Sequence, residues 1–141
     1  IVMMGYYKEK EKTDRVLKDG WFNTEDYGHL TESGQLVING RKKNLIVLDN
    51  GKNIYPEEIE SYISQIPYVQ EVIVKAKKNE IGQETALIAE VFLNKERVDE
   101  LNEPDIQKRL KSDIRDVCKG LAVYKKISEI EIRKEEFVKT K

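Results

Sequence analysis

Asp26 and Arg41 are the charged residues whose types and placing suit chemistry best in this 141-residue chain. A carboxylate at a strand start and a guanidinium at a strand end could grip a polyol and a phosphate together, one accepting hydrogen bonds and the other donating them. Spacing alone does not separate that from ordinary turn and surface charges. The run Arg41-Lys42-Lys43-Asn44 reads in the same two ways, as a solvated basic step or as an anion site. Asn50-Gly51-Lys52 could turn backbone N–H groups and a cation toward a phosphate. The P-loop pattern GxxxxGK[ST] is absent, however, and Asn-Gly explains itself as a hairpin turn. Glu57, Glu58 and Glu60 read as first-turn carboxylates facing a positive helix end, with no nucleophile to pair with. His29 is the only histidine and Cys118 the only cysteine. No metal-ligand spacing and no nucleophilic arrangement forms around His29, and Cys118 reads as a buried, inert thiol.

The elements that must position these residues follow from periodicity and turn chemistry. Residues 1–17 start in mid-element, with Thr13 as the cap of a short helix. Asp19-Gly20, Gly28 and Ser33-Gly34 punctuate short runs carrying Trp21, Phe22, Leu30, Leu36 and Ile38, a strand, turn, strand pattern with Glu32-Ser33-Gly34 as hairpin turn. Leu45 to Leu48 is an apolar strand, Asn50-Gly51 a tight turn, and Lys52 to Tyr55 the return strand. Pro56 then opens a helix, whose apolar face is Ile59, Tyr62, Ile63 and Ile66 and which Pro67 stops. Two strands follow from Val69 and from Glu84, joined through Ile81-Gly82 as an antiparallel pair. Ile106, Leu110, Ile114 and Val117 line an amphipathic helix that Lys119-Gly120 caps. A last strand runs from Lys126 to Arg133, with Ser128, Ile130 and Ile132 on one face.

The fold class expected is therefore α+β: a small antiparallel sheet flanked by helices, preceded by a β-hairpin and a β-rich remnant of a larger domain. An apolar content of 39% supports a modest core. The 25 basic and 26 acidic side chains nearly cancel, so no long-range field gathers nucleic acid or an anionic membrane. No apolar run approaches the roughly 20 residues that span a bilayer, and the single cysteine fits a cytoplasmic location. The opening Ile1 and the abrupt end at Lys141 suggest a piece cut from a longer chain.

Read in order, "GYYKEKEKTDRVLKDGWFNTEDYGHLTESGQLVINGRKKNLIVLDNGKNIYPEEIE" closely resembles the region joining the large and small domains of AMP-forming acyl-CoA synthetases. That adenylate-forming superfamily also includes luciferases and peptide-synthetase adenylation domains. The stretch "GRKKNLIVLDNGKNIYPEEIE" looks most like the long-chain fatty-acid CoA ligase branch. The resemblance implies an enzyme that uses ATP and Mg²⁺ to turn a carboxylate into an acyl-adenylate, then passes the acyl group to coenzyme A. It implies three regions: residues 1–40 as the distal end of the large adenylate-binding domain, 41–43 as the hinge, and 44–141 as the small mobile C-terminal domain. Asp26 matches the aspartate of the family's "TGD", which hydrogen-bonds the ribose hydroxyls, and Arg41 the arginine that reaches ribose and phosphate. Glu25 departs from the glycine usual before that aspartate. Lys43 falls on the hinge position, and Gly51 on the glycine of the turn that enters the active site beside the pantetheine channel.

No catalytic residue is assigned within the chain. "EEFVKTK" looks like the approach to the family's adenylating lysine, with Lys139 and Lys141 in its lead-in, so that lysine is expected beyond Lys141 and the isolated chain is expected to be inactive. The resemblance leaves three readings open: a fatty-acid CoA ligase, a ligase or adenylation domain serving a carrier protein, and a non-catalytic interaction module. Its implied partners are a carboxylic acid, ATP and CoA, with membrane contact only peripheral and through the full-length protein.

Overall fold

Turn-forming pairs break the first forty residues into hairpins, much as the residue pattern predicts. The computed structural model describes residues 3–139, so Lys141 lies outside the described residues. These divide between Lys43 and Asn44 into two compact units. In the first, α1 (Lys10–Val16) follows Glu9, whose side chain makes no capping bond. Thr13, expected as the cap, lies inside the helix. Its hydroxyl donates to the Glu9 carbonyl at 3.0 Å and accepts the Tyr6 N–H at 2.9 Å, because a threonine Oγ1 reaches back one turn. Strands β1 (Leu17–Lys18) and β2 (Trp21–Phe22) join through Asp19 and Gly20, both at positive φ, the pair of left-handed residues that a two-residue hairpin needs. Strands β3 (Asp26–Leu30) and β4 (Leu36–Arg41) pair antiparallel across the Glu32-Ser33-Gly34 turn. Among the described residues of this unit only Gly40 is buried, and Trp21, Leu30 and Leu36 are 82%, 69% and 66% exposed.

A short 3-10 turn, Lys42–Asn44, leads into the second unit. Strands β5 (Ile46–Val47) and β6 (Asn53–Ile54) form its first hairpin. Its loop is wider than a two-residue Asn-Gly turn. The Leu48 carbonyl accepts Gly51 N–H at 2.8 Å, the Leu48 N–H reaches the Lys52 carbonyl at 3.0 Å, and of Asn50 and Gly51 only Gly51 takes a positive φ. Helix α2 (Pro56–Ile63) starts on Pro56 and buries Ile59 and Ile63 completely; Tyr62 lies at the border, 36% exposed. The helix ends at Ile63, before Pro67, and a further turn carries Ile66 into the core.

Strands β7 (Val69–Lys78) and β8 (Glu84–Leu93) form the long antiparallel pair, and β9 (Ile127–Arg133) completes the sheet in the order β7-β8-β9. The α+β class holds, but β9 runs parallel to β8, so the sheet is mixed. The connection explains this: α3 (Lys95–Leu101) and α4 (Ile106–Val117) carry the chain back along the sheet before β9 begins. A register shift at Ser128 also moves that residue off the face of Ile130 and Ile132. Ile127 instead stands opposite the buried Leu87, and the Ser128 hydroxyl donates to the Leu87 carbonyl at 2.7 Å. Gly120 does not act as the expected left-handed cap, since its φ is not positive; Cys118 ends the helix.

The core lies between one face of this sheet and helices α2 and α4. It joins Ile46, Leu48, Ile54, Ile59, Ile63, Ile66, Val74, Leu87, Ala89, Val91, Leu110 and Ile114. Each Ile, Leu or Val side chain among them contributes about 1.5–3 kcal/mol when fully buried. The buried Tyr68 adds a polar tie, its hydroxyl donating at 2.8 Å to the Asp113 oxygen that also accepts from Arg109 Nε at 2.9 Å. Burial and the Asp113 carboxylate together push the Tyr68 hydroxyl far above the ordinary phenol range.

Candidate functional site

Asp26 and Arg41 come together because β3 and β4 place them as register partners at the open end of their hairpin. Arg41 Nε lies 3.2 Å from Asp26 Oδ1, with the two side chains 59% and 25% exposed. An ion pair this open contributes about 0–1 kcal/mol, so its value lies in the arrangement it sets. The pair sets an acceptor of hydroxyl donors beside a guanidinium, which is a donor of several N–H groups. The loop before Asp26 is held by its own side chains: Glu25 N–H donates to Asn23 Oδ1 at 3.1 Å and Asp26 N–H to Thr24 Oγ1 at 3.2 Å. Glu25 itself has φ +59°, and its carbonyl accepts Lys42 N–H at 2.8 Å. A left-handed backbone there is one that glycine enters freely and glutamate does not.

Lys43 is exposed within the 3-10 turn. Gly51 tips its hairpin at φ +75° with open space where a Cβ would stand, in the second unit. Near that tip Lys52 Nζ lies 5.7 Å from the Tyr124 ring centre. The three glutamates of α2 each have structural partners. Glu57 accepts from Asn44 Nδ2 at 2.6 Å, Glu58 from Lys125 Nζ at 2.5 Å, and Glu60 from the Val74 N–H at 2.8 Å. Burial raises the Glu60 carboxyl above its ordinary range, opposed by that Val74 bond. His29 Nδ1 sits 3.0 Å from Asn39 Oδ1 on the exposed hairpin. Cys118 packs against the core, and burial pushes its thiol up, away from the reactive thiolate.

The sheet face away from the helices carries a ladder of charges that the composition did not reveal. Lys75 pairs with Glu90 and with Glu131, Lys77 with Glu129 at 2.6 Å, and Arg133 with Glu90 at 3.1 Å. These bonds hold the Lys75 and Lys77 ammonium groups above their usual range and the Glu90 and Glu129 carboxyls below theirs. Lys139 joins the same face, 2.6 Å from Glu71. The alternation of Glu71, Ile73, Lys75 and Lys77 in β7 was the available signal, though which cross-strand charges would meet depended on register. Among the described residues no group of three or more His, Cys, Asp or Glu could hold a metal ion. Among the described residues no helix is long and apolar enough to cross a membrane.

Residues 43–140 match the family model described as the AMP-binding enzyme C-terminal domain. The chain is 39% identical over 98 residues to an indoleacetate–CoA ligase of Aromatoleum aromaticum, covering 70% of this chain and 19% of that protein. It is 45% identical over 71 residues to a long-chain-fatty-acid–CoA ligase of Escherichia coli O6:H1, covering 50% of this chain and 12% of that protein. In fold it resembles the adenylation domain of a carboxylate reductase from Mycobacterium chelonae, at TM-score 0.81 and 23% identity over 96% of this chain and 21% of that one. The chain thus spans a quarter or less of these relatives.

Proposed function

The chain belongs to the AMP-binding enzyme C-terminal domain family, and from that premise we propose that it is the C-terminal part of an ATP-dependent fatty-acid CoA ligase. The observation that carries the choice of acid is the 45% identity to a long-chain-fatty-acid–CoA ligase. The reaction proposed joins a carboxylate to the α-phosphate of ATP with release of pyrophosphate, then transfers the acyl group to the CoA thiol with release of AMP. In this reading Asp26 accepts the ribose hydroxyls while Arg41 donates to the ribose and the adjacent phosphate. Their register pairing across β3 and β4 supports this, because it holds an acceptor and a donor side by side. Lys43 serves as the hinge, and Gly51 tips the turn that approaches the pantetheine channel, where the open space around it suits close approach. The exposed Trp21, Leu30 and Leu36 suit a segment that packs on a larger body.

The test is made on the full-length protein. Pyrophosphate exchange into ATP that depends on a long-chain fatty acid, followed by acyl-CoA formation with free CoA, is the expected result. Exchange with indoleacetate and none with fatty acids would overturn the choice of acid, and transfer only to a phosphopantetheinyl carrier protein would overturn the choice of acceptor. The 141-residue chain alone is expected to give no ATP-dependent turnover; robust turnover would remove the claim that the adenylating lysine lies outside it.

A further inference from the structure

Hydrogen bonds hold the chain on both sides of Lys43, each inside its own unit. In the first unit the Lys42 N–H donates to the Glu25 carbonyl at 2.8 Å, directly after Arg41, the last residue of β4. In the second unit Asn44 Nδ2 donates to Glu57 Oε1 at 2.6 Å. Glu57 lies in the first turn of α2, whose Ile59 and Ile63 are completely buried, so Asn44 is fastened to a helix that the core holds. Beyond Asn44, Leu45 is half-buried, and Ile46 is buried and paired with Ile54 in the first hairpin of that unit. Lys43, between the two bonds, is exposed.

The two bonds act on different torsions. The first fixes the backbone up to the Lys42 nitrogen. The second fixes it from the Asn44 Cα, because turning ψ of Asn44 would carry Leu45 and all that follows away from the Asn44 side chain. Turning φ of Asn44 moves side chain and unit together and leaves the bond intact. Between the two bonds lie φ and ψ of Lys42 and Lys43 and φ of Asn44, with Lys43 at the centre. The acceptor of the Asn44 bond is a carboxylate, which makes it stronger than a bond between neutral groups.

We propose that Asn44 and Glu57 are positioning residues that end the hinge: their hydrogen bond stops rotation at ψ of Asn44, so the second unit turns as one body from that Cα onward. The inference rests on the hinge proposed above at Lys43 and deepens it by naming what bounds it. Neither residue touches substrate. A shorter free stretch has fewer backbone states that serve neither half-reaction.

The experiment uses the full-length protein, with thioester formation from supplied acyl-adenylate set against pyrophosphate exchange. Lys43→Pro removes freedom in φ at the centre of the hinge and should slow the thioester step selectively. Adding Asn44→Ala or Glu57→Ala to Lys43→Pro frees ψ of Asn44 as a substitute, so each double variant should recover the thioester step by about threefold or more, the scale of one hydrogen bond. Lys43→Pro with Glu57→Gln should recover nothing, because the glutamine amide oxygen still accepts from Asn44. A contact that only stabilises the fold predicts the reverse, double variants slower than Lys43→Pro. That result, or no recovery, overturns the inference and leaves the hinge standing. If Lys43→Pro slows both half-reactions equally, or neither, the hinge falls and the inference with it. A second measurement needs no activity: trypsin should cut after Lys43 about threefold or more faster in Glu57→Ala than in Glu57→Gln, since cleavage requires the flanking residues to open locally. Equal rates of cutting overturn the inference as well.

Discussion

Glu25 occupies a backbone conformation that its own side chain disfavours, at φ +59° between the Asn23 and Thr24 caps and Asp26. A left-handed residue with a Cβ costs roughly 1–2 kcal/mol, offset in part by the 0.5–1 kcal/mol of extra freedom that glycine loses on folding. Glu25→Gly should therefore raise stability by about 0.5–1 kcal/mol, measured as a higher urea midpoint of the chain. An unchanged or lower midpoint would show that the glutamate side chain recovers the cost through contacts of its own. Asp26 and Arg41 were legible from the sequence as an acceptor and a donor at strand ends. Their pairing was not, because it depends on a register that shifts between Tyr27 and Gly28. The left-handed bend was invisible in composition, since glutamate gives no sign of it; only the glycine usual at this place in the family hinted at the geometry. The contacts of Glu71 on the sheet's outer face were missed for a different reason. Their partners come from far along the chain, and no local pattern announces a carboxylate that meets a backbone N–H near the other end.

At the scale of elements, the sheet's outer face predicts how the second unit answers acid. Glu71, Glu90 and Glu129 all have carboxyls held below the ordinary 4.5 by cationic partners, first among them Lys139, Lys75 and Lys77. A depressed carboxyl contributes stability above the unfolded value and loses it as pH falls through the folded one. Glu60 acts in the opposite sense, because burial raises it and protonation relieves that penalty. With three groups against one, the urea midpoint should hold near neutrality and drop below about pH 4.5, and Glu90→Gln should make the drop shallower. A midpoint that rises toward acid would contradict this ordering. The elements themselves were largely readable. Pro56 opening α2, the Asn50-Gly51 turn and the long pair β7 and β8 all carry strong local signals. Helix α3 escaped because it is short and buries no residue fully. Its signals were Asn94, whose side chain caps Arg97 N–H at 3.1 Å, and Asn102 at φ +47°. The direction of β9 could not be read from residues 126–133, since a strand's alternation is the same whichever way its neighbour runs.

For the whole molecule, the division between Lys43 and Asn44 sets the consequential test. Under the proposed function, motion of the second unit about Lys43 separates adenylation from thioester formation, and proline at that position would restrict φ. Lys43→Pro in the full-length enzyme should slow the thioester step by about tenfold or more relative to adenylation, read by supplying acyl-adenylate in one assay and following pyrophosphate exchange in the other. Equal loss in both would argue against the hinge. A different whole-molecule property follows from Glu60. Strand β7 is an edge of its sheet, and an edge offers unpaired backbone N–H groups as a template for another chain. The Glu60 carboxylate already takes the Val74 N–H. An incoming strand from a second copy must therefore displace a charged acceptor and leave it without that donor, which turns a helix side chain into a guard against fibril-like stacking.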